Sequence, residues 1–127
     1  MIYAVEKARQ AHRKAIEQLY EDTCTVYEYK SVRDEITKLT GKKEIAVLEN
    51  QPCKLSFESL DTAGRSGNAA EKKMSVKLFL SPDVVIEAGS KIVVTHMGEK
   101  TAYCSSGVPG KFFTHQEIKL ELFERWA

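Results

Sequence analysis

His96 and Cys104 are the first pair of side chains in this chain that invite chemistry. A thiol and an imidazole on two consecutive strands could make a nucleophile with its base, or half of a zinc site. They flank a turn at Gly98. A two-residue turn sets them on opposite sheet faces and a three-residue turn on the same face, so register decides whether they can meet. Zinc sites show paired ligands at short spacing, and none occurs here. A catalytic cysteine also needs an orienting partner, which the sequence does not supply. The sequence therefore favours a structural role for both residues.

His115-Gln116-Glu117 is the second candidate. Acid/base work wants a positioned carboxylate beside the imidazole. At a period of two, however, His115, Glu117, Lys119 and Glu121 describe the charged outer face of a strand. Gly64-Arg65-Ser66-Gly67 is the third. A phosphate loop needs a strand before it, a helix after it and a Gly-Lys-Ser/Thr ending, and here a strand follows. What remains is a loop with a mildly basic base at Arg65, Lys72 and Lys73. It can touch phosphates without reading sequence, or simply be solvated. No carboxylate pair stands out, and no cofactor is implied.

The elements that would position these residues are mostly strands. Val5, Ala8, His12, Ala15, Ile16 and Leu19 recur at helical spacing, so residues 1–21 read as a helix, with its core over Tyr3–Tyr20. Its thin, alanine-rich stripe suits docking on its own sheet or on a partner. Thr23–Lys30 is rich in β-branched and aromatic residues and reads as a strand. Val32–Lys43 reads as a connector. Glu44–Glu49 is a second strand, interrupted at Asn50-Gln51-Pro52 and continued over Cys53–Phe57. Pro52 marks a strand start, a bulge or an edge. Glu58–Glu71 is the longest irregular segment, turn-rich through Asp61, Gly64, Ser66, Gly67 and Asn68.

From Lys72 to Trp126 the chain reads strand, turn, strand. Met74–Leu80 alternates, and Ser81-Pro82-Asp83 breaks it. Val84-Val85-Ile86 leads to another turn, then to Lys91–Met97. Gly98-Glu99-Lys100 turns, Thr101–Ser105 returns, and Ser106–Gly110 turns again. The last strand starts at Phe112, with Ile118, Leu120 and Leu122 on its dry face. Phe123 breaks the polar alternation. Trp126 is either tucked against the domain or offered to a partner.

Length and composition agree with one small folded unit. The chain has 127 residues, nineteen basic and eighteen acidic side chains and a formal net charge of +1. That balance argues against a dedicated nucleic-acid binder. Three widely spaced cysteines, Cys24, Cys53 and Cys104, and no signal peptide point to reduced thiols in a cytoplasmic setting. No run approaches the roughly 18 apolar residues of a membrane span. The fold class is mainly β: a small antiparallel β-barrel or sandwich of about seven strands, with an N-terminal α-helix and one long loop over 58–71. The chain reads as a single domain over 1–127, with a core from 22 onward.

Several stretches carry a resemblance. Lys77–Val84, Ile86–Thr95, Tyr103 and His115–Ile118, with Cys24–Tyr29 and Glu49–Ser56 upstream, resemble the small head–tail connector proteins of long-tailed phages and Bacillus-type prophages. The head-closure or stopper proteins are the group it is most similar to. The resemblance covers about residues 22–126. It implies a barrel-like fold without enzymatic activity, assembled as a ring of copies of itself below the portal and adaptor. That ring joins the DNA-filled head to the tail and helps retain the packaged double-stranded DNA, contacting it without sequence readout. It places the protein in the virion, at the head–tail junction, and in the host cytoplasm during assembly.

By position, the channel loop is Glu58–Glu71, with Asp61, Gly64, Arg65, Gly67, Lys72 and Lys73 facing DNA. His115, Glu117, Lys119 and Glu121, with Phe123 and Trp126, are the candidate subunit or partner surface. A ring needs the same two patches on every subunit, and mixed charge allows copies to pair. The long helix departs from the family pattern and leaves open another station: adaptor, tail terminator or minor capsid protein. Two other classes compete. A host oligonucleotide-binding barrel would gather Tyr27, Tyr29, Phe79 and Phe112 on one exposed face as stacking platforms. A hydrolase would use Cys104 and His96.

Overall fold

The computed structural model describes residues 2–61 and 72–126. Among them are one helix, α1 (Ile2–Glu17), and six strands: β1 (Asp22–Arg33), β2 (Thr40–Asp61), β3 (Lys72–Leu80), β4 (Lys91–His96), β5 (Glu99–Lys111) and β6 (Gln116–Leu122). The strands close into a barrel in the order β1-β2-β3-β6-β5-β4. Every neighbouring pair is antiparallel. The mainly β, barrel-like reading with an N-terminal helix is what the structure has.

Closure follows from the period-two pattern. Cys24 and Val26 of β1, Cys53 and Leu55 of β2, and Leu78 and Leu80 of β3 point inward. Ile92 and Val94 of β4, Tyr103 of β5, and Ile118 and Leu120 of β6 complete the lining. Each large aliphatic side chain so buried contributes about 1.5–3 kcal/mol. Val84-Val85-Ile86 is not a strand. It belongs to the crossing from β3 to β4, where buried Ile86 joins the core and Val84 packs against it. Gln116 pins this crossing: its buried Nε2 donates to the carbonyls of Ser81 (2.7 Å) and Val84 (2.6 Å).

Turn chemistry moved several boundaries. The β4–β5 turn is Met97-Gly98, not Gly98-Glu99-Lys100. His96 pairs with Glu99, and both turn residues have positive φ, 50° and 81°. That is the geometry a tight two-residue hairpin needs. Ser106–Gly110 is no reversal either. It is a bulge within β5, where pairing with β6 shifts register around Gly107 at φ 77°. The reversal falls at Phe112–His115, so β6 begins at Gln116 rather than Phe112.

Asn50-Gln51-Pro52 does not end a strand. β2 runs through it, with a register shift against β1 and Asn50 at φ 51°. An extra residue there lets the strand carry Pro52 and turn with the barrel wall. The Val32–Lys43 connector is shorter than expected, because β1 reaches Arg33 and β2 starts at Thr40. Of the segment read as irregular from Glu58, Glu58–Asp61 belongs to β2; Lys72-Lys73 belongs to β3, and residues 62–71 lie outside the described residues.

β2 is the longest strand, at 22 residues, and it outreaches its neighbours at both ends. β1 pairs with β4 only over Thr23–Tyr27, so Glu28–Arg33 and its partners Thr40–Ile45 form a two-stranded arm. β3 pairs with β6 only over Val76–Leu80, so Lys72–Ser75 with Glu58–Asp61 forms a second arm. Strand directions alternate around the ring. The β1–β2 arm therefore shares one barrel end with the β3–β4 crossing and the β5–β6 turn. The β2–β3 arm shares the other end with the β4–β5 turn and the start of β1.

Helix α1 is the least integrated element. None of its residues is buried. Of the expected stripe only Ile16 is half-buried, while Val5 and Leu19 stay exposed. It is held by polar and aromatic contacts. Arg13 Nη2 donates to Asp83 Oδ2 (2.7 Å) and to Ser81 Oγ, and Arg13 Nε donates to Glu17 (3.1 Å). The Arg9 guanidinium lies 3.7 Å from the centre of the Phe113 ring.

Candidate interaction surfaces

The two-residue turn answers the first chemical question. With His96 paired to Glu99, parity puts His96 on the inner face and Cys104 on the outer. His96 Nδ1 instead sits 2.8 Å from Oδ1 of buried Asp22. The other carboxylate oxygen of Asp22 accepts the Leu55 N–H at 2.8 Å. This carboxylate joins β1, β2 and β4 where the barrel begins. Cys104 is half-buried beside Lys91 and Glu121. Among the described residues no group of three or more His, Cys, Asp or Glu is placed to hold a metal ion.

The other two cysteines share the inner face. Cys24 and Cys53 are both buried on adjacent strands. A hydrogen bond with Cys24, and burial after it, push the Cys53 thiol far above its ordinary range. A thiol held protonated in this way is a poor nucleophile.

The expected loop residues are placed only in part. Asp61 pairs with Lys72 across the β2–β3 arm, and Lys73 pairs with Leu60. Gly64, Arg65 and Gly67 lie outside the described residues. At the base of this arm, Phe57, Met74 and Leu122 carry on the inward parity of the barrel, yet all three are exposed. Leu122, read as part of the dry face, is 67% exposed because β6 ends at the barrel mouth. A cavity of about 780 Å³ lies between this mouth and the segment after β6, lined by Met74, Leu120 and Leu122 on one side and by Phe123, Arg125 and Trp126 on the other.

The proposed outer face of β6 does face outward. Glu117 lies opposite Phe79, Lys119 opposite Lys77, and Glu121 opposite Cys104. Lys77 and Lys119 are like charges directly across a ladder, which disfavours the isolated sheet slightly. His115 sits apart from them, in the turn. It stacks on Phe112 (4.8 Å between centroids, 13° between planes), has Phe79 at 5.7 Å, and its Nε2 is 3.7 Å from Glu117.

Phe123 and Trp126 are tucked in. After β6 the chain crosses the outer surface of β5 and β4, with Phe123 N–H bonded to the Ala102 carbonyl (3.0 Å). Lys91 Nζ stands 5.0 Å from the Phe123 ring and donates to Glu44 Oε1 at 2.8 Å. Trp126 Nε1 donates to the same Glu44 oxygen at 3.3 Å, and its ring stacks on Tyr29.

The four aromatics of the oligonucleotide-binding reading fall into two separate clusters. Tyr27 and Tyr29 lie with Lys91 and Trp126, while Phe79 and Phe112 flank His115. The sequence pattern missed two features: the outer part of the β1–β2 arm, Ser31–Arg33 with Thr40–Lys42, and the Arg9–Phe113 contact between α1 and the β5–β6 turn. Exposed Phe112-Phe113 beside a turn was the available signal for the second.

Comparison with known proteins adds one likeness of fold. No family model matches the chain, and no curated protein matches it. Among solved structures, it is similar to the phage-like element PBSX protein xkdH from Bacillus subtilis. The TM-score is 0.50 at 10% identity, over 80% of this chain and 93% of that one. Among the described residues no helix is long and apolar enough to cross a membrane.

Proposed function

We propose that this chain is a structural, non-enzymatic subunit of a phage or prophage particle. It forms a ring with copies of itself at the head–tail junction, between portal or adaptor proteins and the tail. The observation that carries this reading is the shared fold with a protein of a phage-like element, over most of both chains. Two features of the barrel support it. The β2–β3 arm leaves one end of the barrel, where it can reach into a channel and close on packaged DNA without reading bases. The β1–β2 arm leaves the opposite end. A ring is held by two different patches repeated on every subunit, and arms outside the barrel supply reach for such contacts.

Adaptor, tail terminator and minor capsid protein remain the neighbouring stations within this reading, and the exposed helix α1 is the element that would distinguish them. The test is in vitro joining. DNA-filled heads from a phage lacking this protein are mixed with wild-type tails, with and without the purified chain. Joined, infectious particles form only when the chain is added. Equal joining in its absence contradicts the proposal.

A further inference from the structure

The strand order places two exposed features on opposite flanks of one barrel end. The first is the tip of the β1–β2 arm, Asp34–Leu39. Ile36 is 92% exposed and Leu39 71% exposed there. The tip is not loose. Asp34 Oδ1 accepts the N–H of Ile36 (2.9 Å) and of Thr37 (3.4 Å), and these amides hold its carboxyl below the usual range. Asp34 N–H in turn bonds the Leu39 carbonyl at 2.9 Å. A shaped turn that presents two aliphatic side chains to water gains nothing within its own fold.

The second feature is a groove of about 630 Å³ between α1 and the β5–β6 turn, lined by Arg9, His12, Lys111, Phe112, Phe113 and His115. Phe112 is 52% and Phe113 71% exposed. Phe113 carries the Arg9 guanidinium on its face, and Phe112 is braced by His115. The groove is apolar at its floor and cationic at its rim.

In the barrel order, the β1–β2 boundary and the β6–β5 boundary lie half-way round the ring from each other, and both connections are at the same end. A ring of identical subunits needs two unlike patches that face different neighbours, and the arm, six residue pairs beyond the β1–β4 pairing, gives the tip reach toward a neighbouring copy. We infer that the Asp34–Leu39 tip of one copy docks in the Arg9–Phe113 groove of the next, with Ile36 and Leu39 against Phe112 and Phe113. This contact rests on the ring reading above and names its interface.

Asp34 and Glu35 are both exposed on the tip; Asp34 is engaged by the turn amides, and Glu35 meets the Arg9 and Lys111 side of the groove. Arg33 and Lys38 also stand on the tip, so the apolar side chains are the anchor and the charges set orientation. A nucleic-acid strand is the competing occupant, since cations and aromatics also suit phosphates and bases. One observation favours protein: at the same barrel end the shaped tip holds Ile36 and Leu39 in water, and aliphatic side chains match an apolar floor as a phosphate backbone does not.

The test is crosslinking between two separately purified chains, each with Cys104→Ser. One carries Thr37→Cys at the tip and the other Lys111→Cys at the groove rim. Their mixture is oxidised and compared with Thr37→Cys mixed with Met97→Cys, a thiol at the other barrel end. The tip–groove pair links at least about tenfold faster than the control pair, through the raised local concentration of a docked contact. A chain carrying both Thr37→Cys and Lys111→Cys gives a ladder beyond dimer, and adding Phe113→Glu abolishes it. Equal rates for the two mixtures overturn the inference. So does a Phe113→Glu chain that loses retention on duplex DNA while linking at the unaltered rate. Linking without any defect in phage assembly retains this contact and removes the junction role; unjoined heads without linking do the reverse.

Discussion

Trp126 lies flat on Tyr29, ring centroids 5.2 Å apart and planes within 7° of parallel. The pair ties the end of the chain to the root of the β1–β2 arm. Phe123 meets the same indole edge-on at 5.1 Å, and Glu44 accepts both the indole N–H and the Lys91 ammonium. The arm that we place at a subunit contact is thus braced from the outside by the segment after β6. Partners that arrive at the arm meet a surface already set in place.

Removing that brace has a measurable cost. Trp126→Ala lowers the unfolding free energy by about 1–2 kcal/mol, the sum of a lost aromatic stack and some buried area. Trp126 is also the only tryptophan, so it reports on its own surroundings. Tyr29→Ala shifts its emission to longer wavelength in the folded protein. An unshifted spectrum means the ring does not rest there.

Asp22 predicts a larger effect. Its buried carboxylate serves the Leu55 amide and His96 together. Asp22→Ala leaves that amide without its side-chain partner, at about 2–4 kcal/mol in urea unfolding. His96→Gln costs less, because His96 is at the rim and reaches water. A loss under about 0.5 kcal/mol for Asp22→Ala would show the clamp is not formed.

Much of the barrel was legible because inward residues alternate with outward ones: Ile92 and Val94, Leu78 and Leu80, Ile118 and Leu120. The hairpin ends were not. Met97 at φ 50° is a residue that ordinarily avoids that conformation, so the turn was read one position late. The outer part of the β1–β2 arm was illegible for another reason. It buries nothing, so Arg33 to Lys43 carries no apolar period, and only the pairing of Arg33 with Thr40 reveals a strand. Of the candidate surface, the outward row Glu117, Lys119, Glu121 was readable from parity. The groove at Phe113 was not, since it depends on where α1 lies.

The same turn offers a stabilising change. Asn tolerates positive φ far better than Met, and Asn-Gly is the favoured pair for a two-residue hairpin. Met97 is exposed, so its side chain adds little there. Met97→Asn raises the unfolding free energy by about 0.5–1 kcal/mol. A neutral or destabilising result would contradict the turn assignment.

Docking of α1 depends on pH. The Arg13 guanidinium, by hydrogen bond first and by charge second, holds the Asp83 carboxyl below its usual range. A depressed carboxylate stabilises the form that needs its charge. The contact is fully present above the ordinary aspartate value near pH ~4 and is lost as pH falls through the depressed value. Amide exchange in α1, corrected for intrinsic rates, therefore accelerates below about pH 4 relative to the barrel strands. Arg13→Gln produces the same contrast at neutral pH. Protection of α1 that is insensitive to both changes would show that other contacts hold the helix.

The most direct test of the proposed assembly role is electron microscopy of lysates from the genome that encodes this chain, induced for particle production, with the gene deleted. The expected lysate holds complete tails and separate, mature heads that leak their DNA, with joining restored by the gene in trans. Fully joined, DNA-filled, infectious particles from the deletion would contradict it.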